Sequence, residues 1–312
     1  MNQSTVDALV ADGLDVAEVH DIVLRALAED LGPDGLDVTS VATIPAEQTD
    51  TAELVARAPG VVAGLAVAAA VFDVASSSAT PAHSGTPERG ASGTGTASFS
   101  AAVKDGERVA RGDILATVAG PTRALLTAER TALNLICRMS GVATHTRAWA
   151  DVLAGTKATV LDTRKTTPGL RILDKYAVRA GGGANKRMGL YDVAMIKDNH
   201  KLAAGSLTAA YERVRAAFPR VPIQVEVTTV AEAREAVDAG ATFLLCDNMS
   251  AELLGEVVEA VGGQAELEAT GNLTLAVAGR YAQTGVDYLS VGGLTHSSPI
   301  LDIAMDLRSR RA

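Results

Sequence analysis

Apolar positions in the first part of the chain follow a helical period. Val19, Ile22, Val23, Ala26 and Leu27 repeat at i, i+3 and i+4, which predicts an amphipathic helix over Val16–Leu31. The run Gly32-Pro33-Asp34-Gly35 stops it. Residues 51–57 and 60–62 read as strands, and 65–74 as a helix. Residues 76–98 are rich in Ser, Thr, Gly and Pro and have no apolar period. Their centre is expected to be a flexible surface insertion, because strand-like sequence resumes at Phe99. Short β segments punctuated by Asp105-Gly106 and Arg111-Gly112 follow. Residues 122–150 then predict a long helical stretch, divided into two near Ser140 and Gly141.

From about residue 157 the pattern changes. Six short apolar runs end at Asp162, Lys197, Glu226, Asp247, Thr270 and Gly293. Helical segments at 202–218, 231–239, 251–261, 273–283 and 300–308 lie between or after them. Strands alternating with helices at this spacing imply βα units and a parallel sheet. Near-continuous apolar runs are what a strand buried on both faces requires. Polar and charged residues collect at the C-terminal ends of the runs, as when a βα-barrel builds its site at one rim. The expected fold class is therefore α/β, with an open doubly wound sheet as the alternative. The expected domains are 1–135, mixed α/β, and 136–312, the barrel, with the last helix returning to the first domain.

Composition narrows the class. Of 312 residues, 47% are hydrophobic and 21% charged, which is ordinary for a globular protein with a sizeable core. Cys137 and Cys246 each sit in an apolar run, so no disulfide framework is indicated. The N-terminus lacks a basic segment followed by an apolar one. The apolar stretch near residues 61–75 is interrupted by Gly64 and Asp73 and is too short to span a bilayer. A cytoplasmic location without a membrane partner is expected.

Charge is unevenly placed. Between Lys157 and Lys201 there are ten Lys or Arg against four Asp, in a chain whose net charge is −9. Cations flanking buried-looking strands predict a pocket for a highly anionic small ligand. A nucleic-acid partner is not expected, because aromatics make up only 3% of an acidic chain. Arg164 and Lys165 follow the first barrel run, Arg179, Lys186 and Arg187 flank Gly181–Gly183, and Lys197 ends the second run. Arg forks and Lys point charges together suit a ligand bearing both carboxylates and phosphates. Glu226 and Asp247 end consecutive runs and could hold Mg²⁺, bind sugar hydroxyls or stabilise a cationic transition state. Glu268 reads most simply as the partner of a neighbouring lysine. Thr270-Gly271-Asn272 and Gly292-Gly293 precede helices, whose N-termini favour phosphate. The spacing in GGGANKR does not fit a nucleotide P-loop, and no dinucleotide-binding glycine pattern follows a strand. His200 and His296 have no Cys or His partner at zinc spacing. His20, His83 and His145 carry no readable motif.

TRKTTPGLR, KYAVRAGGG, IKDNH, VEV, CDN, EATG and VGGLTHS, with the N-terminal ALAEDLG and ERTALNLICRMSGVAT, closely resemble the quinolinate phosphoribosyltransferase family. The likeness covers nearly the whole chain outside the Ser/Gly-rich insertion. It implies transfer of phosphoribose from phosphoribosyl pyrophosphate to quinolinate with decarboxylation, a step of NAD biosynthesis requiring Mg²⁺. It also implies an N-terminal α/β sandwich, an incomplete α/β barrel, and a homodimer with sites shared between subunits, with assembly to a hexamer left open. By that resemblance Arg164 and Arg187 grip the quinolinate carboxylates, beside Lys186 and Arg130 of the neighbouring subunit. Lys165 and Lys197 bind phosphate and pyrophosphate, and Glu226 and Asp247 face ribose and metal. The 5′-phosphate lies against Thr270, Gly271, Gly292 and Gly293, near His296. Two positions depart from the family pattern. Lys186 stands where histidine is usual, and Thr270-Gly271-Asn272 replaces a Ser-Gly-Gly turn, in which asparagine should tolerate a left-handed backbone. The alternatives are a paralogue acting on another carboxylated heterocycle, a Schiff-base lyase using Lys197, and an anion-binding protein without turnover.

Overall fold

A computed structural model describes residues 1–77 and 95–308. Most of the Ser/Gly-rich segment expected as a surface insertion lies outside the described residues. The chain forms two compact units. One takes residues 1–144, 168–181 and the segment from Ser298 onward; the other takes 145–167 and 182–297. The chain thus passes between units several times, where the sequence predicts a boundary at 135/136 and a return of the last element to the first domain.

The first unit is built on a four-stranded antiparallel sheet in the order Ile303–Leu307, Thr49–Ala56, Ile114–Pro121, Ser98–Ala101. The helix Leu65–Ser77 is buried from Leu65 through Ser76, as a helix apolar on every side must be. It packs against Gln3–Ala11 and Val16–Leu31 on one side and against the sheet on the other. The predicted helix Val16–Leu31 forms with those bounds and buries Val19, Ile22, Val23 and Leu27. Asp15 caps its N-terminus through Glu18 N–H, and Gly32 ends it at φ 66°.

Two expectations fail in this unit, each for a legible reason. Residues 300–308 do not form a helix. Leu301, Ile303, Met305 and Leu307 alternate with shorter or acidic residues, a period of two, and Ile303–Leu307 pairs with Ala52–Ala56. The chain does return to the first unit, but as an edge strand. Nor does the long helix break at Ser140 and Gly141, since Thr122–Leu153 is continuous. Ser140 Oγ bonds the backbone of Ala63, and a Cβ on Gly141 would stand 2.1 Å from the carbonyl oxygen of Pro299. These small residues serve close packing.

The second unit contains six parallel strands: Thr159–Leu161, Ala194–Ile196, Ile223–Val227, Phe243–Asp247, Glu266–Thr270 and Tyr288–Ser290. The sixth pairs with the first, and pairing then runs down through fifth, fourth and third to the second. This is the cyclic order of a barrel, open between the first and second strands. An open doubly wound sheet would reverse its order from a central strand, and this one does not. On the open side, Ala184 bridges to Leu161 of the first strand. All five residues of Ile223–Val227 are buried, as a barrel strand covered by helices requires. The segment expected as one helix at 202–218 is two, Asp198–Ala204 and Leu207–Ala217. Gly205 at φ 97° ends the first and Ser206 caps the second. Cys137 and Cys246 are both buried free thiols.

Candidate active site

The C-terminal ends of the barrel strands open on a cavity of ≈ 890 Å³ lined entirely by the second unit. Strand register explains which side chains reach it. Glu226 of the third strand pairs with Leu245 of the fourth, and Leu245 with Glu268 of the fifth. Asp247 and Thr270, paired with each other, lie two residues further along and so one layer nearer the rim on the same face. Glu226, Asp247 and Thr270 line the cavity; Glu268 lies beneath it.

The cations come chiefly from the ends of the first two strands and the segment between. Asp162, fully buried, fixes that segment: its carboxylate accepts Asn185 Nδ2 at 2.6 Å and Lys186 N–H at 2.8 Å. Arg164, Lys165, Lys186 and Arg187 then line the cavity with Lys197. Arg187 donates to the Val193 carbonyl at 2.9 Å through one terminal nitrogen and to Met195 Sδ at 3.6 Å through the other. Burial, followed by the positive charge of Arg164, holds the Arg187 pKa below the ordinary guanidinium value, with Asp192 opposing. Lys197 Nζ lies 3.4 Å from Glu226 Oε2. Lys186 Nζ pairs with buried Glu268, which also accepts Gln224 Nε2 at 2.6 Å and the Ser290 hydroxyl. Glu268 is therefore the partner of a neighbouring lysine. Burial, then the nearby charges of Arg187 and Lys197, depress the Lys186 pKa; Glu268 works the other way.

Two turns, at the ends of the fifth and sixth strands, also line the cavity. Asn272 takes φ 49° and Asn248 φ 52°, left-handed conformations that asparagine tolerates better than most residues. Between Thr270 and Asn272, Gly271 has φ 98°, and a Cβ there would meet Asn248 Oδ1 at 2.2 Å. Only glycine fits. At the end of the sixth strand, a Cβ on Gly292 would stand 3.0 Å from Lys165 Cδ and 3.3 Å from His296 Nε2. The bare backbone therefore lets both cation-capable side chains approach the turn. Thr295 Oγ1 donates to the Lys165 carbonyl at 3.0 Å, fixing this arrangement.

Of the residues singled out from sequence, the cavity gathers Arg164, Lys165, Lys186, Arg187, Lys197, Glu226, Asp247, Thr270, Gly271, Gly292, Gly293 and His296. Arg130 is not among the lining residues; it lies on Thr122–Leu153 in the other unit. Gly181–Gly183 do not line it either. Gly181 caps the helix Arg171–Ala180. His200 accepts the Lys197 N–H at 3.0 Å through Nδ1 and caps a helix. Sequence reasoning missed His145 and Trp149, which also line the cavity. Trp149 Nε1–H donates to His145 Nε2 at 3.2 Å, and burial pushes the His145 pKa down. Their i, i+4 spacing was the one available signal.

The arrangement can bind a dense anion and offer carboxylates to a developing cation. Residues 37–140 match the N-terminal domain, and residues 142–306 the C-terminal domain, of quinolinate phosphoribosyl transferase. The chain is 46% identical over 291 residues to a nicotinate-nucleotide pyrophosphorylase (carboxylating) of Mycobacterium leprae, covering 92% of this chain and 96% of that one. It is 41% identical over 281 residues to a probable enzyme of the same name from Bacillus subtilis, with 89% and 90% covered. Among solved structures, NadC from Streptococcus pyogenes superposes with a TM-score of 0.85 at 34% identity, over 95% of this chain and 99% of that one. Domain matches spanning both units, together with these relatives, establish that the chain belongs to the quinolinate phosphoribosyltransferase family.

Proposed function

We propose that this protein transfers phosphoribose from phosphoribosyl pyrophosphate to the ring nitrogen of quinolinate and releases pyrophosphate and CO₂, giving nicotinate mononucleotide. The observation that carries this reading is the convergence of five cations and two carboxylates on one barrel cavity. A Schiff-base lyase needs a desolvated lysine with a depressed pKa. Lys197 is half exposed and ion-paired with Glu226, which argues against that role.

In this reading Arg164, Arg187 and Lys186 hold the two ring carboxylates, so the ring nitrogen faces the sugar. Lys165 and Lys197 hold phosphate and pyrophosphate oxygens, and the turns at Thr270–Asn272 and Gly292–Gly293 take the 5′-phosphate beside His296. As the bond from the anomeric carbon to pyrophosphate breaks, positive charge grows on the sugar. Glu226 and Asp247 stabilise that charge without reorganising. Holding two anionic substrates side by side supplies much of the remaining acceleration. After transfer, the ring nitrogen is cationic. The bond between C2 and its carboxylate then breaks, its electron pair stays on C2 next to that nitrogen, and a proton from solvent completes the product.

Two carboxylates at neighbouring strand ends fit a magnesium ion held jointly with substrate oxygens. Among the described residues, no group of three or more His, Cys, Asp or Glu could hold a metal alone. Glu226 and Asp247 would hold Mg²⁺, which when bound neutralises pyrophosphate charge. Assembly as a homodimer would let Arg130 of one subunit reach its neighbour's site. Mixing R130A and D247N proteins then restores roughly a quarter of wild-type activity, because each hybrid has one intact site. No recovery would remove Arg130 from the shared site.

The reaction is tested by following pyrophosphate release with Mg²⁺ and either quinolinate or nicotinate as acceptor. Release with quinolinate supports the reading; turnover with nicotinate alone rejects it.

A further inference from the structure

Lys186 lines the cavity, whereas its partner Glu268, with no exposed surface, lies behind it. Three donors converge on that hidden carboxylate from separate parts of the barrel: the Lys186 ammonium, Gln224 Nε2 and the Ser290 hydroxyl. The Gln224 amide is turned to donate although its own buried Oε1 then has no hydrogen-bond partner. Such an orientation is what an acceptor-only carboxylate demands of its neighbours. The backbone of Lys186 is fixed as well, through its N–H to Asp162. Both ends of the lysine are therefore held, and its side chain lines the cavity.

We infer that Glu268 is a positioning residue acting through Lys186, keeping that ammonium charged and aimed so that a ring carboxylate of the substrate is gripped with constant strength across neutral pH. This inference rests on the reaction proposed above. The titratable and charged groups around the ammonium include Glu268 on the fifth strand, Arg187 beside it, Lys197 at the end of the second strand, and Asp162 on its backbone. Cys246 on the fourth strand also feels the Glu268 charge. Burial, Arg187 and Lys197 all oppose the charged lysine, and Glu268 sustains it. Without the glutamate, Lys186 would lose its proton at a lower pH than it does now.

The test is the pH dependence of quinolinate KM and kcat, from about pH 6 to about pH 9, in wild type, E268Q, E268D, K186Q and the E268Q/K186Q double variant. Wild-type KM is expected to stay flat. In E268Q it should start near the wild-type value and rise at least about tenfold toward alkaline pH, with kcat changing less. E268D should shift in the same direction by a smaller amount. K186Q should show a raised, pH-independent KM, and the double variant should match it. A flat profile in a folded E268Q or E268D protein overturns the inference, as does an unchanged quinolinate KM in K186Q. A merely structural role would lower stability and leave the shape of the profile alone. Should the wild-type enzyme fail to turn over quinolinate at all, the proposed reaction itself falls; turnover with flat profiles in the variants removes only the role of Glu268.

Discussion

The ammonium of Lys197 stands 3.4 Å from a carboxylate oxygen of Glu226, each one residue beyond the paired Ile196 and Val225 of adjacent strands. The two partners are unequally held: the Glu226 side chain is 9% exposed and that of Lys197 50%. The glutamate is a fixed charge, while the half-exposed lysine is the one of the pair that can turn, as its proposed role in binding pyrophosphate requires. A cation free to exchange partners suits a leaving group that must be bound and then released. Asp247, one layer nearer the rim, shares the face on which Glu226 projects.

Asp247→Asn should lower kcat by roughly a hundredfold to a thousandfold, the usual effect of deleting one electrostatic group matched to a transition state. Substrate binding should weaken far less, because the neutral amide keeps the shape and loses only charge. Steady-state kinetics separate the two. A change confined to KM would assign Asp247 to ground-state binding.

Arg164→Ala should weaken quinolinate binding by at least about tenfold, since a charge-assisted hydrogen bond is worth about 1.5–3 kcal/mol. Arg164 is exposed at the cavity, so the fold should be retained. Calorimetry on a variant with a native circular dichroism spectrum checks this, and an unchanged affinity would remove Arg164 from the carboxylate grip.

Gly271→Ala puts a methyl group 2.2 Å from Asn248 Oδ1 at a backbone φ of 98°. Strain of this kind costs about 1–3 kcal/mol, and the turn can relieve it only by moving Asn248. Both a lower melting temperature and a raised KM for phosphoribosyl pyrophosphate are expected. Normal values of both would mean that the turn does not bind the 5′-phosphate.

His145 is half buried, and desolvation lowers its pKa below that of an unfolded histidine. The unfolded chain therefore takes up the proton first as pH falls. Stability should be complete above the unfolded pKa of about 6.5 and decline below it until the folded pKa is reached. His145→Gln should flatten that part of the stability curve, measured by urea unfolding at a series of pH values. A decline of equal steepness in the variant would place its origin elsewhere.

The barrel was legible because its strands are buried on both faces and its charges sit just past their ends. Asp162, Lys197, Glu226 and Asp247 mark those ends in the sequence as they do in space. The final strand was not, because residues 300–308 are too few to separate a period of two from 3.6 until Thr49–Ala56 is there to pair with them. Ser140 and Gly141 look like a helix break in isolation, and the carbonyl of Pro299 that requires a glycine is supplied from 158 residues away. His145 and Trp149 were hidden for a similar reason. Nothing local distinguishes a helical face that lines a cavity from one that fills a core. The register that puts Glu268 one layer below Asp247 is likewise a property of strand pairing and not of either segment alone.

In the proposed reaction, ribosyl transfer and loss of a ring carboxylate are carried out together at this one cavity. It is tested most directly with quinolinate labelled in the 2-carboxylate, incubated with phosphoribosyl pyrophosphate and Mg²⁺, while labelled CO₂ and pyrophosphate are counted in the same samples. Equal amounts of the two, both abolished in the Arg164→Ala protein, are expected. Pyrophosphate released without labelled CO₂, or labelled CO₂ undiminished when Arg164 is removed, would contradict it.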